Sequence, residues 1–279
     1  MPKVLSVFRK PAPRPRPRPR RFSRGVYLLP SMLTLANMFC GWTCIVYAMR
    51  GEYATAAPFV AFAMVLDLLD GRVARLTGAT SDFGMEFDSL ADAISFGVAP
   101  AILVFAWGLE PLGRLGGAIG FLYITAATMR LARFNIHGKS ADKRYFVGMP
   151  SPAAAGVPAA TVFVYPTGLD GSSEAILAVA VLLVPAALMV SRIRFRSFSA
   201  LTPGRRHSYL TLLIIAAVIA AIAVEPQLVL VTMAYLYLLS GVVGLLVGRF
   251  RRRGNVGTFE SPLPDTATDT SIGKTRSVS

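Results

Sequence analysis

Hydrophobic residues in this chain form long blocks, which are separated by short polar segments. A helix needs about 20 mostly apolar residues to cross a bilayer. By that measure the pattern predicts eight membrane spans, at residues 27–49, 54–75, 86–108, 115–134, 153–169, 173–190, 208–224 and 227–248. The predicted fold class is therefore all-α, a polytopic transmembrane helical bundle with about eight spans.

The composition agrees with a membrane protein. Hydrophobic residues make up 54% of the 279 positions and charged residues only 16%, whereas about a quarter of a soluble domain is charged. All but two of the 29 Lys and Arg residues fall in segments that eight spans would place on one side, the exceptions being Arg50 and Arg114. Because cytoplasmic loops carry the excess of basic residues, both termini are predicted to be cytoplasmic. This distribution explains the net charge of +14 without a nucleic-acid partner.

Changes in composition along the chain divide it into four parts. The repeated prolines between Arg14 and Arg21 prevent a helix there, and the many basic residues favour contact with anionic lipid. The predicted parts are a disordered basic cytoplasmic arm at 1–25, a six-helix core at 26–190, a basic loop with two additional transmembrane helices at 191–248, and a disordered cytoplasmic tail at 249–279.

Acidic residues are scarce in this chain, yet several of the 15 crowd between positions 67 and 92. Ionisable groups at the edge of an apolar span are costly and indicate a functional site. Asp67 and Asp70 share one face of the second predicted helix, and Asp88 and Asp92 share one face of the third. Four carboxylates at one point would repel each other by several kcal/mol. A hard divalent cation among them would remove that repulsion, since carboxylate oxygen is its natural ligand.

The two other acidic residues of this segment, Asp82 and Glu86, are not spaced so as to share a helix face with the four aspartates. We expect them to solvate the loop and to favour the start of the third helix, where the helix dipole attracts negative charge. Neither Cys nor His occurs in the cluster, which argues against zinc or copper.

The acidic segment resembles a known signature. It reads Asp67-x-x-Asp70-Gly71-x-x-Ala74-Arg75, then eight residues, then Gly84-x-x-x-Asp88-x-x-x-Asp92. This pattern is similar to that of the CDP-alcohol phosphatidyltransferases at all its fixed positions, which implies that residues 26–190 are a catalytic core. Within that family the chain is most similar to the membrane-embedded phosphatidylserine synthases. Three softer stretches support this: LTLAN at 33–37, RLARFN at 130–135 and GMPSPA at 148–153.

The resemblance implies transfer of a phosphatidyl group from CDP-diacylglycerol to the hydroxyl of serine, with release of CMP. It implies two divalent ions, Mg²⁺ or Mn²⁺, held by Asp67, Asp70, Asp88 and Asp92. Asp92, one turn deeper than Asp88, is also the predicted general base. The predicted CDP-lipid contacts are Asn37, Gly71, Ala74, Arg75, Ser81 and Gly84. Physical chemistry supports two of them, since glycine allows close approach of a diphosphate and arginine can bind its oxygens in a fork.

The acceptor side is less sharply specified by the sequence. Arg130, Arg133 and Asn135, at the end of the fourth predicted span, are expected to meet the acceptor, because a guanidinium can bind the serine carboxylate. Arg130 and Arg133 fit equally well as ordinary basic residues flanking a span, and Asn37 fits as a hydrogen-bonding residue between helices. Glycerol phosphate, inositol phosphate and choline remain alternative acceptors.

A cation-coupled transporter is the alternative from another class of protein. The carboxylates crowd one membrane edge, however, whereas transporter sites lie near the midplane. The expected partners are CDP-diacylglycerol, serine and the lipid bilayer, with the active site facing the cytoplasm of a bacterial inner membrane. The sequence leaves the oligomeric state open, and a homodimer is one expectation.

Overall fold

The structure is a computed structural model that describes residues 25–78, 81–137, 145–169, 171–191, 193–196 and 208–253. Its helices are α1 (Gly25–Met49), α2 (Tyr53–Thr77), α3 (Asp82–Asp92), α4 (Ala99–Val104), α5 (Arg114–His137), α6 (Ser151–Val164), α7 (Ser172–Val190), α8 (Ser208–Val224) and α9 (Pro226–Arg253). The predicted helical fold is thus confirmed.

A small sheet is the one kind of element in the described residues that the hydrophobic pattern did not predict. Strands β1 (Tyr145–Val147) and β2 (Arg194–Arg196) pair antiparallel, with Phe146 opposite Phe195. Strands of three residues are too short to show the alternation of apolar and polar side chains from which a strand is predicted. The sheet joins the loop before α6 to the loop after α7.

Helices α3 and α4 belong to one continuous rod, residues Asp82–Leu112, which we call the third rod. A π-helical segment at Ala93–Val98 connects α3 to α4, and a second one at Phe105–Leu109 follows α4. A π-helical turn contains an extra residue, and such turns occur frequently at functional sites. The first one begins directly after Asp92, so the wider turn lies beside a predicted site residue.

Four of the helical rods are long and apolar enough to cross a membrane, namely Leu29–Met49, Tyr53–Thr77, Asp82–Leu112 and Arg114–Ile136. Three further apolar helical stretches among the described residues are shorter, at Ser151–Val164, Glu174–Val190 and Pro226–Gly241. Helix α6 has 14 residues and is therefore about 21 Å long, less than the roughly 30 Å of a hydrocarbon core. The count of eight spans and the cytoplasmic location of the termini stay predictions.

The fifth predicted span, at residues 153–169, is longer than the helix that forms. Helix α6 ends at Val164, and Tyr165 leaves the helical conformation immediately before Pro166, as expected for a residue that precedes proline. The indole N–H of Trp107 donates to the carbonyls of Tyr165 and Thr167 at 2.7 and 3.0 Å. The chain after α6 is thereby fastened to the third rod.

The surface and the interior both fit a membrane environment. Large apolar side chains such as Phe39 and Trp42 are 64% and 60% exposed, which a lipid surrounding tolerates and water does not. The buried residues include many alanines, and small residues let helices approach closely in a bilayer.

The basic arm and the tail predicted at the two ends lie almost wholly outside the described residues. Gly25 belongs to α1, and residues 249–253 continue α9 past its predicted end at 248.

Candidate active site

Three carboxylates meet between the second helix and the third rod. Asp67 and Asp70 come from α2 and Asp88 from α3, and one oxygen from each lies within 4.8 Å of the others. Helix α2 ends at Gly78, which adopts the left-handed conformation (φ 65°) and donates its N–H to the Ala74 carbonyl. Glycine adopts this conformation without the steric cost that other residues incur. The chain therefore reverses sharply enough to place the carboxylates of both helices together.

The start of α3 is fixed by a cap. The hydroxyl of Ser81 accepts a hydrogen bond from the Gly84 N–H at 3.0 Å, as expected of serine at a helix N-terminus. Asp82 lies in the first turn, and both it and Glu86 are exposed. Neither belongs to the cluster of three carboxylates, in keeping with the separate role predicted for them.

The chemistry of the cluster fits a divalent cation. Asp88 Oδ1 is buried and has no hydrogen-bond partner among the described residues, which is costly for a carboxylate oxygen unless something else coordinates it. Asp70 Oδ2 is oriented by the Thr34 hydroxyl, which donates to it at 3.1 Å. Three converging oxygen ligands are what Mg²⁺ and Mn²⁺ prefer. The residues present therefore suit the predicted metal.

Asp92 is not one of the three carboxylates whose oxygens lie within 4.8 Å of one another. It is buried, and its Oδ1 accepts a hydrogen bond from Asn37 Nδ2 at 3.2 Å. Of the four carboxylates that the sequence analysis grouped, the structure brings oxygens of three within 4.8 Å of one another and gives Asp92 a hydrogen bond from Asn37. Asn37 was predicted to contact the CDP-lipid, and in the structure it lies directly against Asp92.

The pairing of Asn37 with Asp92 depends on a close approach of α1 to the third rod. The hydroxyl of Ser95, in the first π-helical segment, donates to the Asn37 carbonyl at 3.0 Å. A Cβ atom at Gly41 would lie only 2.6 Å from Ser95 Oγ and 2.8 Å from Ser95 Cα. Glycine is therefore required at position 41.

Sequence reasoning gave no role to Thr34, Gly41 or Ser95. A weak signal was present, because small and polar residues spaced along an apolar helix are typical of helix–helix contacts in membranes. Thr34 stood within the LTLAN stretch, and Gly41 follows Asn37 by one helical turn. The partner of each residue, however, comes from a distant part of the chain.

A cavity of about 180 Å³ opens beside the acidic cluster. Its lining includes Asp70 and Asp88. It also includes all but one of the predicted CDP-lipid contacts, namely Gly71, Ala74, Arg75, Ser81 and Gly84. The exception, Asn37, lies with Asp92. A Cβ atom at Gly71 would lie 3.7 Å from the Arg75 guanidinium, so the bare backbone of Gly71 and the cation of Arg75 face the same space. The cavity therefore combines backbone access, a cation and two carboxylates.

Arg130, on α5, is held by two neighbouring side chains. Its Nη1 donates to the Ser151 hydroxyl at 2.8 Å, and its guanidinium lies 5.5 Å from the centre of the Phe134 ring. It also interacts electrostatically with Asp92 and Asp67. Ser151 begins α6 and belongs to the GMPSPA stretch that the sequence analysis noted without giving this residue a role. Arg130 is therefore a cation held in place by its neighbours and coupled electrostatically to the base candidate Asp92.

Arg133 and Asn135 make contacts that support the surrounding framework. Arg133 Nη2 donates to the Met189 carbonyl at 2.9 Å, near the end of α7. Asn135 Nδ2 donates to the Ser89 hydroxyl at 2.9 Å and links α5 to α3. Both arginines fitted the acceptor hypothesis equally in the sequence, and in the structure Arg130 donates to Ser151 whereas Arg133 donates to the end of α7.

Comparison with known proteins gives one family. The protein-family model for CDP-alcohol phosphatidyltransferase matches residues 27–191. The helical bundle and the acidic site are thus those of a membrane-embedded transferase. The chain belongs to the CDP-alcohol phosphatidyltransferase family and is an enzyme of that kind, which confirms the resemblance found in the sequence.

Several curated proteins are similar to this chain. A CDP-diacylglycerol--serine O-phosphatidyltransferase of Helicobacter pylori is 37% identical over 220 residues, which is 78% of this chain and 91% of that protein. The protein of the same name from Mycobacterium leprae is 42% identical over 133 residues, 46% of this chain and 44% of its own length. An archaetidylserine synthase of Methanothermobacter thermautotrophicus is 32% identical over 169 residues, 60% of this chain and 69% of its own length.

Proposed function

We propose that this enzyme transfers the phosphatidyl group of CDP-diacylglycerol to the hydroxyl of serine, releases CMP and forms phosphatidylserine. The observation that carries the proposal is the cluster of Asp67, Asp70 and Asp88 beside a cavity that also contains Arg75. The names of the bacterial and archaeal relatives describe different lipid products but the same acceptor, serine. These names therefore support serine as the acceptor of this enzyme.

The nucleotide half of the reaction follows from the cavity lining. The guanidinium of Arg75 would bind diphosphate oxygens in a fork, and the backbone at Gly71 would allow the diphosphate to approach closely. Asp67, Asp70 and Asp88 would hold one or two divalent ions, Mg²⁺ or Mn²⁺. When bound, such ions polarise the phosphoryl oxygens and neutralise the charge of the departing CMP.

Asp92 is the proposed general base. In the reaction, a bond forms between the serine oxygen and the β-phosphorus, the bond from that phosphorus to the CMP oxygen breaks, and the hydroxyl proton passes to Asp92. The hydrogen bond from Asn37 orients this carboxylate. Orientation of this kind is what a general base needs.

Arg130 is the proposed partner of the serine carboxylate. Its guanidinium is held by Ser151 and Phe134 and interacts electrostatically with Asp92. A carboxylate bound there would bring the serine hydroxyl close to the base. Arg133 and Asn135 would shape the acceptor region through their contacts with α7 and α3.

The site is proposed to face the cytoplasm of a bacterial cell. Arg72, Arg75, Arg130 and Arg133 all lie at the same ends of their helices as the acidic cluster, and basic residues of short loops mark the cytoplasmic side. Serine and CMP would therefore exchange directly with the cytoplasm.

The test is CMP release by the purified protein in detergent, with CDP-diacylglycerol and, in turn, serine, glycerol phosphate, inositol phosphate and choline. Detergent abolishes any gradient, so turnover there contradicts a transporter. We expect turnover with serine, loss on chelation and recovery with Mg²⁺ or Mn²⁺. Turnover with another acceptor in place of serine would refute the serine assignment.

Asp88→Asn tests the cluster, and Asp82→Asn serves as its matched control six residues earlier. Because metal stabilisation of charge is worth several kcal/mol and 1.36 kcal/mol is about tenfold in rate, Asp88→Asn should lower kcat by at least about a hundredfold. Asp82→Asn should leave it within about twofold. Similar activities for the two variants would contradict the metal site.

A further inference from the structure

Helix α9 lies outside the segment matched by the family model, which ends at residue 191, yet it packs against α6 of that segment. The hydroxyls of Tyr235 on α9 and Thr161 on α6 are hydrogen bonded at 2.9 Å, which fastens the two helices together. Helix α2 packs on α6 as well, and all three helices line one cavity. They therefore form a groove with α6 as its floor and α2 and α9 as its walls.

The cavity in this groove has a volume of about 190 Å³. Its lining includes Met64 of α2, Gly156 of α6, and Met233 and Ala234 of α9. Among the described residues that line it, none is charged and Tyr237 contributes the single hydroxyl. Apolar cavities of about 150 Å³ stay dry and bind apolar ligands. The cavity is therefore suited to a hydrocarbon rather than to water or an ion.

The cavity begins about one helical turn from the acidic cluster. Met64 precedes Asp67 by three residues on α2, and residues at this spacing share a helix face. A Cβ atom at Gly156 would lie 3.6 Å from Met64 Sδ, so α6 meets α2 at this level. From Ala153 to Phe163 the lining covers about 15 Å of α6. This length is about half the thickness of a hydrocarbon core, which is the depth of one leaflet.

We propose that this cavity binds an acyl chain of CDP-diacylglycerol and that α9 closes it on one side. The inference rests on the proposed function, in which this lipid is the donor. The glycerol esters of the lipid are only a few bonds from its reacting phosphorus. With the diphosphate at the acidic cluster, the acyl chains must therefore enter the membrane interior close to Asp67, and the α2 wall of the cavity starts there. Without α9, the family segment alone would leave the groove open on that side.

Ala234→Phe tests the proposal because the added ring would fill the cavity from α9. Burial of about two methylene groups is worth about tenfold in affinity, so we expect the KM for dioleoyl CDP-diacylglycerol to rise about tenfold. The KM values for serine and for dihexanoyl CDP-diacylglycerol, whose short chains would not reach Ala234, should stay within about twofold. Leu236→Phe is the matched control, since Leu236 is 61% exposed and does not line the cavity. It should leave the ratio of the two lipid KM values unchanged.

A direct readout is photolabelling with a CDP-diacylglycerol analogue that carries a diazirine at the end of one acyl chain. Irradiation should label α9, and excess unmodified CDP-diacylglycerol should suppress the label. A label elsewhere, or one on α9 that the excess does not reduce because an ordinary bilayer lipid fills the cavity, would overturn the inference.

The outcomes also separate this inference from the proposed function. Equal changes of the two lipid KM values in a folded Ala234→Phe enzyme would overturn the inference, and Ala234→Leu gives the same decision if the Phe variant does not fold. Photolabelling needs no acceptor. Protein that is labelled on α9 with competition, yet releases no CMP with serine, would refute the serine assignment and support the acyl-chain site.

Discussion

Replacing Gly41 by alanine should disturb catalysis without touching any residue proposed to contact substrate. Gly41 lies where α1 crosses the third rod, one turn after Asn37. The added Cβ would lie 2.8 Å from Ser95 Cα, about 0.6 Å short of the 3.4 Å at which ordinary contact begins. A backbone atom cannot rotate away, so the two helices must separate by roughly that amount.

The separation acts directly on the proposed base. The bond from Asn37 Nδ2 to Asp92 Oδ1 is already 3.2 Å long, and a further 0.6 Å would take it beyond hydrogen-bonding distance. Overpacking of this kind costs about 1–3 kcal/mol of stability. A misplacement of about 1 Å can lower a rate by about a hundredfold, so we expect kcat to fall by about ten- to a hundredfold.

The assay is CMP release with serine in detergent, paired with thermal unfolding of the same preparations. Gly117→Ala is the control, because a Cβ at Gly117 would meet nothing within 4 Å; it should leave both quantities almost unchanged. If Gly41→Ala matched Gly117→Ala in kcat and in thermal midpoint, the contact between α1 and the third rod would not position Asp92, and our reasoning would be wrong.

Two further substitutions test the framework around the site. Arg133→Lys should lose the forked hydrogen bonds onto the carbonyls at the end of α7. We expect this loss to lower the free energy of unfolding by about 1 kcal/mol and to change the KM values for serine and CDP-diacylglycerol alike in steady-state assays. A selective rise in the serine KM would instead place Arg133 in the acceptor site. Gly148→Ala combines a positive φ of 87° with a Cβ that would collide with the Met189 carbonyl, whereas Gly51→Ala has a positive φ of 75° and open space. Thermal unfolding should therefore show Gly148→Ala to be the more damaging by about 1–3 kcal/mol, and equal losses would contradict the collision.

Much of the candidate site could be predicted from the sequence because its parts are close together in the chain. Asp67, Asp70 and Asp88 lie on two consecutive helices joined by a short turn, so helical periodicity alone indicates which side chains share a face. The same holds for Gly71 and Arg75, which follow within the same helix. The alignment of these residues with a family signature then indicated the chemistry.

The roles of Asn37, Arg130 and Arg133 could not be predicted in the same way. Each is decided by a partner 21 to 57 residues away in the chain, and the periodicity of one helix says nothing about the rotation of another. Arg130 and Arg133 are neighbours on one face of α5, yet one meets Ser151 and the other meets the end of α7.

The sequence by itself determined the features that depend on local rules. Long apolar blocks form helices, and the basic loops predict the orientation of those helices. Because acidic residues are scarce in this chain, a cluster of them indicates a site. Only the tertiary structure decided that Asn37 donates a hydrogen bond to Asp92 and that the absence of a side chain at Gly41 leaves room for Ser95. The physical reason is that hydrophobicity specifies which helices enter the membrane, whereas small residues and single hydrogen bonds specify how those helices pack.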